Sequence, residues 1–317
     1  SKAYAAGGVL DLKPLNFQHR DFSGWQHDML EEPARIDPLV HFWKESLGVV
    51  IPVLDLPEAR PRPTIQRFKG DTRQLVMQAV LCERLRHLAR NKQTTLFNVL
   101  LASLLVVLER HSGQDDIIVG TPVLGRNHPH LRNQIGFFAN TLALRNQINH
   151  TQSISQLIAQ VTERTKAALD HQDLPFDQLV SHLDLPRNLS RNPICDVLLV
   201  VLDDAISGIN LSGVGIKPFG NDTEWKFSRF DLVVHVRSDN EEGELYLDIN
   251  YDSDLFSSAQ VDRLAQHMEN VLSQMCESPE LAVGQVTCLT ASERALFATL
   301  DRSSEVETST TIIRMFA

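Results

Sequence analysis

Three short segments between Gln134 and Ile194 carry the residue types that could bind or position a reactant. Ile135-Gly-Phe-Phe-Ala-Asn-Thr-Leu-Ala-Leu-Arg145 sets a polar Asn140-Thr141 pair inside an apolar run. Such a pair must find hydrogen-bond partners, so the two residues are either satisfied within the fold or turned toward a ligand. His171-Gln-Asp-Leu-Pro-Phe-Asp177 gathers an imidazole, an amide and two carboxylates about Pro175, which suits a first helical turn. Arg187-Asn-Leu-Ser-Arg-Asn-Pro193 offers two guanidinium groups, and Arg191 would hold either a buried ion pair or part of a channel wall. No one segment is a reactive constellation, and no catalytic residue is assigned.

Generic catalytic patterns are missing. The sequence has no GxSxG elbow, Walker loop or HExxH, and Gly213-Val-Gly215 followed by Gly220 has the wrong spacing for a dinucleotide loop. His128 and His130 flank Pro129 in a polar stretch; a metal there would need two more ligands, so a surface loop is expected. His111 falls at the end of an apolar helix, where a cation suits the C-terminus. His235 sits between Val234 and Val236 in a strand pattern and is expected to face solvent. Cys82, Cys195, Cys276 and Cys288 are far apart, which fits free thiols in a cytoplasmic protein better than disulfides or a zinc site.

The elements that must position these residues alternate between helix and strand. A helix is expected over Phe22 to Leu30, punctuation from Glu31 to Pro38, a short helix over Leu39 to Leu47, and an extended proline-rich linker from Ile51 to Pro63. Gln74 to Val80 reads as a strand and Cys82 to Asn91 as a helix. Thr94 or Thr95 caps a helix running to about His111, apolar on nearly all sides and therefore internal. Its apolar run, Leu96 to Leu108, is 13 residues long, too short to span a bilayer. Asp116 to Leu124, Ile135 to Arg145, Cys195 to Leu202, Phe230 to Val236 and Glu244 to Tyr251 read as strands. In the last, Leu245, Leu247, Ile249 and Tyr251 alternate with Glu244, Tyr246, Asp248 and Asn250, giving one apolar and one wet face. Helices begin at Ser153 and at Ser257 or Ser258, and a short one ends near Leu183. This alternation argues for a layered α/β architecture with a mixed central sheet packed by helices.

Charge is uneven. Residues 1–200 hold 22 Lys and Arg against 20 Asp and Glu; residues 201–317 hold 8 against 20. The acidic second part and the lack of a basic stripe exclude nucleic acid and anionic membrane as expected partners. A solvated acidic face is expected there.

The three segments, in this order, resemble the later motifs of condensation domains from nonribosomal peptide synthetases. The resemblance extends over almost the whole chain. His19-Arg-Asp-Phe-Ser-Gly-Trp-Gln26 resembles a YxDFAxWQ stretch, with His19 in place of tyrosine. Trp43 and Leu47 match a WxxxL pattern, and Leu54-Asp-Leu-Pro57 with Pro61-Arg-Pro63 an LDLPxxxPRP-like linker. Thr94-Thr-Leu-Phe97, Asp116-Ile-Ile-Val-Gly-Thr-Pro122, Gly125-Arg126, Phe230-Asp-Leu232 and Tyr251-Asp-Ser-Asp-Leu-Phe256 continue it. Leu289-Thr-Ala-Ser-Glu293 resembles the junction into an adenylation domain, and Thr311 to Phe316 that domain's opening. Asn188 stands where the family usually has Asp, which removes an ion pair with Arg187.

The resemblance implies a chloramphenicol-acetyltransferase-like lobe and amide formation between thioesters carried on phosphopantetheine arms, with no cofactor or metal bound directly. It implies acyl and peptidyl carrier proteins, an N-terminal lobe and a downstream adenylation domain as partners. Asn140, Thr141, Ser190, Arg191, Asn192 and Pro193 become substrate-channel candidates. Asp21, Trp25, Gly136, Phe138, His171, Gln172, Asp173, Pro175, Phe176 and Arg187 become motif residues with mainly structural roles, Phe137 and Phe138 as strand core. The family's HHxxxDG motif is not in these 317 residues. A fragment is therefore expected: residues 1–63 the end of an N-terminal lobe and linker, 64–285 the C-terminal lobe, and 286–317 a linker and the start of an adenylation domain. A degenerate domain, a non-catalytic carrier-docking module and an acyltransferase using a soluble coenzyme A thioester are the alternatives.

Overall fold

The computed structural model describes residues 14–57, 60–202, 226–238 and 243–301. The Gly213, Gly215 and Gly220 positions and the Thr311 to Phe316 stretch lie outside the described residues.

Two helices come first. In α1 (His19–Glu31) the Asp21 carboxylate accepts the Gln18 backbone N–H at 2.8 Å, satisfying a donor at the helix start. The second, α2 (Pro33–Leu47), is longer than the short helix expected from Leu39. The prolines misled the expectation. Pro33 occupies the first helical turn, where a missing N–H costs nothing, and Pro38 is carried inside the helix. Trp43, fully buried, anchors α2 by donating from Nε1 to the His171 carbonyl at 3.0 Å.

The described residues of the proline-rich segment after α2 form no regular structure, as expected, yet they are pinned at many points. Arg145 donates to the Leu47 and Val50 carbonyls, Gln114 bonds the Val53 carbonyl and the Asp55 N–H, and Arg191 donates to the Leu54 carbonyl. Leu54 and Leu56 are buried in the core.

The remaining described residues form one six-stranded mixed sheet with helices. The elements are β1 (Gly70–Met77), α3 (Ala79–Asn91), α4 (Leu96–Ser112), β2 (Asp116–Val123), β3 (Asn140–Gln147), α5 (Ile154–Asp170), α6 (Phe176–Leu183), β4 (Val197–Leu202), β5 (Leu232–Ser238), β6 (Leu245–Asp252), α7 (Ser258–Glu277) and α8 (Ala291–Asp301). The strand order is β1-β6-β5-β4-β2-β3. β4 runs parallel to both β5 and β2, and the other pairs are antiparallel. Where β2 meets β4, Gly120 lies opposite Leu198; a Cβ there would fall 2.3 Å from the Leu198 side chain and 2.7 Å from Cys195 Sγ.

Helix α4 is internal, as its sequence demands. Thr95 caps it by accepting the Asn98 N–H, and every residue from Asn98 to Glu109 is buried. It lies against α5 and α7. Ser153 starts α5 with a capping box, and Ile154, Leu157, Ile158, Val161 and Ala168 all face the core.

Three strand expectations need correction. Residues 135–139 are loop, and β3 begins only at Asn140; Ile135 and Phe137 are 97% and 82% exposed, whereas Phe138 is buried. The polar face of β6 is not wet. Asp248 is buried because Arg237 Nε and Gln74 Nε2, each at 2.6 Å, come across from the neighbouring strands. His235, opposite Asp248 in the register, is half-buried rather than solvent-facing, and burial pushes its imidazole pKa down.

The acidic excess of the second part is likewise not simply solvated. Asp231, Asp248, Asp252 and Asp254 are buried. Basic residues from the first part reach across: Arg62 to Asp231, Arg67 to Asp254, Arg73 to Asp262, Arg84 to Glu277 and Lys92 to Glu280. All four cysteines are unpaired. No single helix among the described residues is long and apolar enough to cross a membrane.

Candidate functional site

Asn140 joins the first two sequence segments. Its Nδ2 donates to the Gln172 and Leu174 carbonyls at 2.9 and 2.8 Å, and its Oδ1 accepts the Phe176 N–H at 2.9 Å and the Thr141 N–H at 2.8 Å. The amide thus fixes the turn between α5 and α6, and Pro175 stands just before α6 where no N–H is needed. His171 closes the same turn. Its ring stacks on Phe42 at 3.7 Å, and Nδ1 lies 2.8 Å from the Ala167 carbonyl. Gln172 donates to the Leu169 carbonyl, and Asp173 accepts from Asn127 at 3.1 Å. By strand alternation Asn140 shares a face with the buried Leu142 and Leu144, while Thr141 faces the opposite side.

The α1 motif and the Gly136-Phe-Phe138 stretch also meet. The rings of His19 and Phe22 lie 4.9 and 4.8 Å from that of Phe138, and His19 Nε2 is 3.0 Å from the Phe137 carbonyl. Arg126 organises the loop. It donates to the Leu131, Gln134 and Gly136 carbonyls and sets its guanidinium 4.4 Å over the Phe138 ring. Gly125 adopts φ +63°, and a Cβ there would lie 1.8 Å from the Phe138 carbonyl oxygen, so only glycine fits. A Cβ on Gly136 would strike His19 at 2.3 Å. Between α1 and the loop runs a cleft of about 490 Å³, lined by Phe17, Asp21, Phe22, Trp25, Asn127, Leu131 and Asp173 among others. Trp25 is 44% exposed along it.

The third segment enters a buried charge cluster. Arg191 Nη1 donates to Asp196 at 2.8 Å and to the Leu54 carbonyl at 2.9 Å. Beside it, Arg62 makes a bidentate pair with Asp231 at 3.0 and 2.5 Å and donates to the Ser190 carbonyl. Burial, then the charge of Asp231, push the Asp196 carboxyl up to about 6 against the pull of Arg191 and Arg62. Asp196 Oδ1 has no hydrogen-bond partner among the described residues. Asn192 donates to the Arg229 carbonyl, and Pro193 and Arg187 are exposed. Asn188, the departure from the family pattern, accepts from the Ser190 N–H and hydroxyl at 2.9 and 2.7 Å and so closes its own turn.

The segments therefore form two neighbourhoods, the Asn140 turn with the α1 cleft and the arginine–aspartate cluster. Arg126, Arg62, Asp196 and Asp231 were not singled out from sequence as site residues. Arg62, Arg126 and Asp231 stood inside motif segments, but Arg62 and Asp231 pair across 169 positions, too far for local pattern to show, and Arg126 reaches backbone carbonyls, which no side-chain pattern marks. His128 and His130 lie in an exposed loop, and no group of three or more metal-ligating side chains occurs among the described residues. His111 corrects the helix-terminus expectation. Burial and the neighbouring His267 lower its pKa to about 4, so it is neutral at pH 7.

The family model described as Condensation domain matches residues 2–297. Tyrocidine synthase 3 of Brevibacillus parabrevis is 34% identical over 284 residues, which are 90% of this chain and 4% of that protein. Gramicidin S synthase 2 of Brevibacillus brevis is 34% identical over 284 residues, 90% of this chain and 6% of that protein. The chain thus spans less than a tenth of the length of these relatives. Among solved structures, a holo four-domain nonribosomal peptide synthetase bound to AMP and glycine superposes with a TM-score of 0.74 at 26% identity, covering 81% of this chain and 20% of that one. The X-domain from teicoplanin biosynthesis shares the fold with a TM-score of 0.78 at 24% identity, covering 90% of this chain and 66% of that one. The α/β lobe with its mixed sheet is the chloramphenicol-acetyltransferase-like fold of these neighbours, and the chain belongs to the condensation-domain family.

Proposed function

We propose that this chain is the C-terminal, acceptor-side part of a peptide-synthetase condensation domain, followed by the opening of an adenylation domain. In this reading an acceptor amine attacks the carbonyl of a donor thioester. The C–N bond forms, the C–S bond breaks, the amine gives up a proton and the donor's pantetheine leaves as a thiol. Both reactants ride on phosphopantetheine arms of carrier proteins. The HHxxxDG histidine that positions the amine comes from polypeptide outside these 317 residues.

The observation that carries the reading is an uncovered apolar rim on the loop that holds the motif residues. Leu124, Ile135 and Phe137 are 77%, 97% and 82% exposed. Large apolar side chains gathered on one loop suit burial against another body, here the N-terminal lobe. Thr141 and the Ser190–Pro193 turn border the channel in this reading, and Asn140 is a positioning residue behind it. Carrier docking in this reading uses the basic side chains around α3, Arg84, Arg86, Arg90 and Lys92; of these Arg84 pairs with Glu277, Lys92 pairs with Glu280, and Arg86 donates to the Gly243 carbonyl and Ser238. Arg90 makes no ion pair among the described residues and becomes the leading docking cation.

The test supplies loaded donor and acceptor carriers to the chain alone and to the chain joined to its N-terminal lobe, with dipeptidyl thioester read by mass spectrometry. The joined protein should form product and the chain alone should not. A missing acid–base or positioning group typically costs about 10²–10⁴-fold. Product from the chain alone would sink the half-domain reading, and turnover of coenzyme A esters but not carrier-bound ones would move it to the acyltransferase alternative.

A further inference from the structure

Outside the Asn140 turn and the arginine–aspartate cluster, two helices and the chain's last described stretch meet in a hydrogen-bonded chain of ionisable side chains. His111 Nε2 near the end of α4 lies 2.9 Å from His267 Nδ1 on α7. His267 Nε2 lies 2.9 Å from Glu293 Oε2 in the first turn of α8. His267 is buried, and the same Glu293 oxygen accepts the Thr290 N–H and hydroxyl, each at 2.9 Å. We propose that the segment from Val283 through α8 is a strap released from the lobe by acid, with the His111–His267–Glu293 chain as its catch.

The rest of the strap's attachment is mostly indifferent to pH in the range where histidine titrates. Asn270 donates to the Thr287, Cys288 and Leu289 carbonyls at 3.2, 3.2 and 2.8 Å. Gln274 bonds both the carbonyl and the N–H of Thr287. Arg110 donates to the Val283 and Val286 carbonyls. The other charged groups nearby are Arg263, whose Nε lies 3.7 Å from Glu293 Oε1, and the Glu109 carboxylate, which pairs with Arg110 and His150.

The catch tolerates one added proton and not two. With both rings neutral, His267 donates from Nε2 to Glu293 and accepts at Nδ1 from His111. One proton on His267 forms an ion pair with Glu293, and His111 then accepts. A second proton sets N–H against N–H, and cation against cation, across 2.9 Å. Accordingly burial, then the charge of His267, lower the His111 pKa to about 4. For Glu293 burial raises the pKa, but the hydrogen bonds from Thr290 and His267 outweigh it and hold it at about 2. A histidine depressed in the closed state stabilises closure above its ordinary pKa, and that contribution is lost as pH falls toward the depressed value.

Cys288 reports the opening, because it lies in the strap and is buried. The full chain is exposed to a dipyridyl disulfide, which reacts in acid, at pH 7.5 and pH 5. The rate at Cys288 is read by peptide mass spectrometry and normalised to a free thiol at each pH. Labelling should accelerate on the order of tenfold at pH 5. Cys82 and Cys195, buried in the core, should stay protected. Glu293→Gln should label quickly at both pH values, His111→Phe should lose the acceleration, and His150→Gln should keep it. A Cys288 rate unchanged between the two pH values, or Cys82 and Cys195 reacting in step with it, overturns the proposal.

Discussion

Asn140 and Arg62 each pin a remote loop to the sheet, one with a neutral amide and the other with a charge. Around Asn140 the donors and acceptors are mainly backbone groups, matched one to one. Around Arg62 and Arg191 the partners are carboxylates together with the Ser190 and Leu54 carbonyls, and the carboxylates crowd enough that Asp196 is pushed up to about 6 and has one oxygen without a partner among the described residues. The Asn140 amide carries no titratable group, and its hold depends on geometry. The charged centre carries a desolvation cost that a missing partner exposes at once.

Breaking the charged centre should have the largest effect. Arg62→Ala leaves Asp231, 5% exposed, without its bidentate partner and should cost about 3–5 kcal/mol in urea unfolding. Asn140→Ala should come next, at about 2–3 kcal/mol, since it strands the Gln172 and Leu174 carbonyls and the Phe176 N–H. That loss should be equal at pH 5 and pH 8; a marked pH dependence would mean the two centres are coupled.

Asp196 sharpens the contrast. Its folded pKa, about 6, lies above the ordinary carboxyl value of 3.8. A raised carboxyl pKa stabilises the fold at low pH, and that contribution is lost as pH rises through the folded value. Asp196→Asn should therefore flatten the decline in stability between about pH 4 and pH 7, by about 1–3 kcal/mol. An unchanged pH profile would show that its second oxygen is already satisfied in solution. Smallest is the pair of half-buried Lys92 and exposed Glu280: Lys92→Ala should shift the unfolding midpoint least of all these variants, and less still in high salt.

Much of the fold was legible wherever a pattern is local. The Thr95 cap, the all-round apolar α4 and the alternating apolar face of β6 need only neighbouring residues to be read. The opposite face of β6 was misjudged because the partners of Asp248, Gln74 and Arg237, are supplied by two other strands. Residues 135–139 carry strand-like side chains, but the Gln134 and Gly136 carbonyls bond Arg126 instead of a neighbouring strand. The site was half legible. Asn140 stood out as a polar residue in an apolar run, yet nothing in that run names residues 172–176 as its partners. The His111–His267 contact joins positions 156 apart and leaves no mark on either local sequence.

The pairing of β1 with β6 has a consequence for how the chain can be made and cut. During synthesis β1 leaves the ribosome long before Leu245–Asp252, its one neighbour in the sheet among the described residues, exists. Until then it is an open edge, and Arg62, Arg67 and Arg73 wait for Asp231, Asp254 and Asp262. Such non-local closure is slow and leaves strand edges exposed to misassociation. Anyone exchanging modules in a synthetase would do best to move the span from before Arg62 to beyond Asp262 as one piece. A splice inside it strands β1 and unpairs the arginines in the same stroke.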